Sequence, residues 1–137
     1  MNDPPSRREE GQMAHHSRLH LAVIDVPAHD HDEELAFWRG ATGHDLPGIP
    51  QNPEYHGGML PGQEFGLLVQ RLGDGEPRVH LDFHTDDLEA EVSRLEGLGA
   101  TRVRQAPQWW VMRDPAGLPF CVIKDQGIHA GNARRWD

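Results

Sequence analysis

Cysteine is nearly absent: Cys121 is the single one in 137 residues. That excludes an internal disulfide and fits a reducing compartment, so the cytoplasm is the expected location. Basic residues are scarce as well, with 13 Lys and Arg against 22 Asp and Glu for a formal net charge of −9. Such a balance argues against nucleic acid or an anionic membrane as partner, because both need concentrated cations. No run of about 18 apolar residues occurs, so no membrane-spanning helix is expected. Residues 1–17 contain no hydrophobic segment like that of a signal peptide. There is no phosphate loop, no Gly-x-Ser-x-Gly elbow and no Cys-x-x-Cys pair.

What the chain does have is repetition. Arg18-Leu19-His20-Leu21 opens one apolar run, and Arg78-Val79-His80-Leu81 opens another sixty positions later. Each phrase is followed by strand-like residues, an Asp-rich start signal, an amphipathic stretch and a glycine stop. An internal repeat of this kind outranks other fold signals. At this length it implies one domain of two similar halves.

Residues 1–16 are polar, cannot bury apolar area, and are expected to be a disordered N-terminal tail. The run 19–26 reads as a strand, with Leu19, Leu21 and Val23 on the face expected to meet the helices. Asp30 and Glu33 resemble a capping box opening a helix near 32–42, which carries Leu35, Trp38 and Thr42 on one face and stops at Gly43. The Pro- and Gly-rich stretch 44–62 reads as loop with short edge strands. Residues 65–72 form a further strand. In the second half, 78–85 is a strand, Asp86 and Glu89 repeat the capping spacing, and Leu88, Val92 and Leu95 make a helical stripe. Three short strands follow at 101–104, 109–113 and 120–124. Residues 127–137 read as a loosely held C-terminal tail. His20, Gln70, His80 and Cys121 fall on strand faces turned from the helices.

The order of these phrases resembles the vicinal oxygen chelate superfamily, the glyoxalase and bleomycin-resistance fold. The phrases that carry it are Glu34-Leu35-Ala36-Phe37-Trp38-Arg39, Val79-His80-Leu81-Asp82-Phe83, Asp114-Pro115-Ala116-Gly117 and Phe120-Cys121-Val122. The likeness covers about residues 18–125. It implies an α+β fold of two βαβββ modules, about 17–75 and 76–126, within one domain (17–126) whose curved sheet surrounds a central cavity. In metal-dependent members the first and last strands of each half supply ligands, which carries over to His20, Gln70, His80 and Cys121. Gln70 and Cys121 depart from the usual Glu. Two imidazoles with a thiolate suit zinc better than iron or nickel.

The resemblance implies an enzyme of lyase, isomerase or dioxygenase type acting on a small oxygen-bearing metabolite, with one divalent metal as the candidate cofactor. His80 and His20 are the candidate catalytic residues. His20, His80 and Cys121 are candidate metal ligands, and Gln70, Asp82, Trp110 and Cys121 are candidate cavity residues. His80 and Asp82 share a strand face and form a possible ligand pair with His20. His84 continues that face as a possible base. The alternative is a non-catalytic protein of bleomycin-resistance type that sequesters a cationic or aromatic ligand. The superfamily also makes a homodimer an expectation.

Overall fold

The computed structural model describes residues 14–60, 65–73 and 75–137. The expected tail therefore lies outside the described residues up to position 13. Elements follow in the order β1 (His15–Pro27), α1 (Ala28–Thr42), β2 (Gly48–Ile49), β3 (Asn52–Met59), β4 (Gly66–Leu72) and β5 (Arg78–Thr85). They continue with α2 (Leu88–Gly97), β6 (Thr101–Ala106), β7 (Trp109–Arg113), β8 (Pro119–Lys124) and β9 (Arg134–Trp136). This is a mixed α+β architecture with the strand–helix–strand order expected of each half. No helix among the described residues is long and apolar enough to cross a membrane.

The chain divides into two compact units. One is His20–Asp82, and the other joins Phe83–Asp137 to the residues up to Leu19. Both β1 and β5 contribute to each unit, whereas the repeat gave each module a first strand of its own.

In the unit His20–Asp82, β2 pairs antiparallel with β3, and β3 with β4. β4 then runs parallel to β1, which requires the long crossover that α1 supplies. On one face Ile24, Val26 and Val69 pack with Leu35 of α1 and Leu46. On the other, Leu21 and Val23 pack with Leu68, Ile49 and Tyr55. Leu21 and Val23 thus lie on the face away from α1, and Leu19 is exposed, contrary to the expected inward stripe. The two faces of β1 meet different partners along its length. His15 and Ser17 turn toward Glu91 of α2, but further along it is the even-numbered Ile24 and Val26 that meet α1.

α1 begins earlier than expected, after Pro27, with no side-chain cap; Asp30 is an acid of its first turn instead of the start of a capping box. Gly43 stops it in a left-handed conformation (φ 74°), its N–H reaching Arg39 O at 2.9 Å. Gly57 is the other glycine whose conformation matters. Its φ is +131°, and a Cβ there would run into the Leu67 backbone, so only glycine lets β3 lie against β4.

In the second unit β6, β7 and β8 form an antiparallel meander. Val92 and Leu95 of α2 pack on Met112, Phe120 and Val122, with Phe83 and Trp110 at the edge. α2 is capped by Asp87, whose side chain accepts the Ala90 N–H at 3.1 Å. The expected cap, Asp86, is occupied elsewhere: it accepts the His16 N–H at 2.8 Å and lies 2.8 Å from that imidazole. Residues 134–136, expected in the loose tail, pair as β9 with His15–Ser17. The Trp136 indole N–H donates to Ser17 Oγ at 2.9 Å, and Arg94 stacks 3.8 Å from its ring centroid.

Candidate active site

A row of polar side chains crosses the sheet of the unit His20–Asp82. Tyr55 is in register with Gln70, and Gln70 with Asp25. Paired residues on adjacent strands project to the same face, so these three lie side by side. Tyr55 packs with Leu21, Val23 and Leu68, which places the row on the face turned from α1.

His80 of β5 completes it. Its Nδ1 lies 2.6 Å from Asp25 Oδ2. An ionised carboxylate only accepts, so Nδ1 is the nitrogen that donates to Asp25. Nε2 in turn lies 3.3 Å from Asp82 Oδ1. Asp25 is only 1% exposed, and Arg78 Nε stands 3.7 Å from its Oδ2 as a second, looser cationic neighbour. Buried carboxylates need such partners, since an unpaired charge out of water is strongly unfavourable. Asp25 Oδ1 and Asp82 Oδ1 are buried with no hydrogen-bond partner among the described residues.

These residues also fit a divalent cation. His80 Nε2 and the Asp82 carboxylate are borderline and hard donors on one strand face. A carboxylate on Nδ1, as Asp25 is here, is the kind of contact that orients and strengthens an imidazole in metal sites.

The second unit holds its own histidine–carboxylate pair. His84 Nδ1 lies 2.8 Å from Asp125 Oδ2, and Asp125 Oδ1 accepts the Gly127 N–H at 2.8 Å. Cys121 is half-buried opposite Val111, on the other side of β8 from Phe120 and Val122, and so faces away from α2. Trp110, expected in the cavity, packs instead with the α2-side cluster, and the Arg102 guanidinium lies 5.0 Å from its ring centroid.

Of the sequence-derived candidates, then, His80, Asp82 and Gln70 are brought together within one unit. His20 is half-buried on β1, but the β1 residue that reaches His80 is Asp25. Sequence reasoning passed over Asp25. Its signal was there all the same: it is the lone acid in Leu-His-Leu-Ala-Val-Ile-Asp-Val-Pro, where a buried carboxylate must find a partner.

A family model described as glyoxalase-like domain matches residues 8–123. The chain belongs to the glyoxalase-like domain family. With it the chain takes its place in the vicinal oxygen chelate superfamily, and the strand–helix order of its halves is that family's α+β fold. No curated protein sequence matches it. Among solved structures it is similar to methylmalonyl-CoA epimerase from Mycobacterium tuberculosis, at 18% identity and a TM-score of 0.55, covering 77% of this chain and 86% of that one. It is also similar to the Streptomyces coelicolor methylmalonyl-CoA epimerase in complex with 2-nitronate-propionyl-CoA, at 15% identity and a TM-score of 0.53 over 80% of this chain and 98% of that one. A third likeness is to a Legionella pneumophila protein described as an NAD-dependent benzaldehyde dehydrogenase, at 8% identity and a TM-score of 0.56 over 75% and 97%. At these identities the likeness establishes the glyoxalase-like fold and no particular reaction.

Proposed function

We propose that this glyoxalase-like protein is an enzyme of isomerase or lyase type that moves a proton at a carbon next to a carbonyl or carboxylate group of a small metabolite. The observation that carries this reading is the Asp25–His80–Asp82 array. Asp25 holds His80 with Nδ1 protonated, leaving Nε2 as the atom that takes and returns the substrate proton. Asp82 stabilises the imidazolium formed in that step, and Gln70 and Tyr55 extend the row as hydrogen-bonding groups for the substrate's oxygens. The epimerase neighbours, one in complex with 2-nitronate-propionyl-CoA, support an acidic α-carbon as the reacting centre. The low cysteine count supports a cytoplasmic setting.

A metal-assisted form has its own support in the orphaned Asp82 oxygen and the outer carboxylate on Nδ1. His80 Nε2 and Asp82 would hold the ion, with zinc the first to test. When bound, it would supply Lewis-acid polarisation of the substrate oxygen.

The test is deuterium incorporation from D2O, followed by NMR, across acids and thioesters with an acidic α C–H. Exchange by the wild type, lost at least a hundredfold in His80→Gln and tenfold or more in Asp25→Asn, is the expected result. Saturable quenching of tryptophan fluorescence by the same compounds with no exchange would sink the enzyme reading and favour a sequestering protein.

A further inference from the structure

Four histidines of the described residues follow one pattern. His15, His16, His80 and His84 each have a carboxylate oxygen 2.6–2.8 Å from a ring nitrogen. His31 and His56 break it. They come from the first turn of α1 and from β3, with ring centroids 5.0 Å apart and planes inclined by 52°. His31 is only 2% exposed. Its Nε2, and Nδ1 of His56, are buried with no hydrogen-bond partner among the described residues.

Their surroundings do not suit a cation. The nearest carboxylate to His31, Asp32, is fully exposed and stands 3.6 Å from Nδ1. The other charged groups acting on His56 are Arg39 from α1 and Arg71 from β4, both positive. From β2 there is only Gly48, in register with His56. Neutral imidazoles fit this place as tilted aromatic rings. An imidazolium would be a buried charge facing a second imidazole and two guanidinium groups, with one solvated carboxylate to oppose them.

We propose that His31 and His56 form an acid-sensitive latch, which packs the first turn of α1 against β3 through the two rings and releases it when His56 is protonated. Burial first, then His31, Arg39 and Arg71, hold the His56 pKa below the usual histidine value, with Asp32 opposing. A histidine whose folded pKa is depressed contributes stability that is full above its unfolded value, about 6.5. That contribution is lost as pH falls from there through the folded value. α1 starts three residues after Asp25, so release of its first turn also frees the strand end that holds Asp25 against His80. This last consequence rests on the function proposed for His80; the latch itself does not.

The test is a histidine ring NMR titration of the full chain, with urea unfolding at pH 7.5 and 5.5. The His56 ring should stay neutral below the pH at which free histidine titrates. The urea midpoint should fall between the two pH values, and the fall should shrink at least twofold in His56→Gln, whose side chain carries no charge at either pH. The His80→Gln chain should keep the fall. Titration of His56 at or above the free value overturns the latch, and it decides the matter if the variant does not fold. An equal fall in wild type and His56→Gln overturns it too. Loss of the fall in His80→Gln would assign the effect to the Asp25–His80 site and overturn the latch without touching the reading of His80.

Discussion

Asp25 Oδ2 and His80 Nδ1 meet at 2.6 Å from strands 55 positions apart, and one of the two groups is almost wholly buried. Removing the imidazole leaves the carboxylate with only the more distant Arg78 beside it. His80→Ala should therefore cost about 3–5 kcal/mol. Pairing it with Asp25→Asn should recover a large part of that loss, because the charge that lacked a partner is gone. Chemical denaturation of the four proteins of this cycle checks both statements. Additive losses would mean the two side chains are not coupled.

Glu91 is the other fully buried carboxylate among the described residues, and it is better served. Burial pushes its pKa up, but hydrogen bonds from Arg94, His15 and Ser17 outweigh burial and bring it below the usual glutamate value. A carboxylate depressed in the folded state contributes stability that is present above the unfolded pKa. It is lost as pH falls from about 4.3 through the folded value. Unfolding free energy measured from pH 7 down to pH 3 should drop over that range. Glu91→Gln should start about 3–5 kcal/mol lower and show a shallower acid slope.

The last strand, paired with His15–Ser17, is also anchored by a side chain. Trp136 gives its indole N–H to Ser17 and receives Arg94 on its ring face. Trp136→Ala should lower stability by about 1–3 kcal/mol, from one hydrogen bond and one stacked cation. Hydrogen exchange should quicken at His15–Ser17, the residues paired with β9. Unchanged protection there would show that the strand holds without its tryptophan.

Arg102 offers a contrast. It bonds Glu89 and lies 3.0 Å from Glu96, and those two carboxylates raise its pKa further above its already high value. Both glutamates are solvent-accessible, so Arg102→Ala should cost no more than about 1 kcal/mol, shrinking with added salt. Thermal melts at low and high ionic strength measure it.

Much of the architecture could be read from the chain because it is written in local patterns. The repeated Arg-x-His-Leu phrase marked two first strands, Leu88, Val92 and Leu95 marked a helix, and Gly43 marked a stop. What escaped depends on long-range pairing. Alternation alone cannot tell which partners a strand face will meet: His15 and Ser17 answer to Glu91, while Ile24 and Val26 answer to Leu35. Asp86 looked like a cap until His16, seventy positions away, claimed it. Arg134-Arg135-Trp136 is too short and too polar to announce a strand. At the site, His80, Asp82 and Gln70 were legible from strand periodicity and family resemblance. Asp25 stood out only as the lone acid of its run, because the partner that gives it a role is met only once β5 lies beside β1.

The central claim is that Asp25 holds His80 through Nδ1 and makes Nε2 the reacting atom, and ring nitrogen NMR of uniformly 15N-labelled protein near neutral pH tests it most directly. The expected spectrum shows His80 as the Nδ1–H tautomer with an unprotonated Nε2, and Asp25→Asn shifts the ring toward a mixture of tautomers. A neutral His80 protonated at Nε2, or a ring unaffected by Asp25→Asn, would contradict the account.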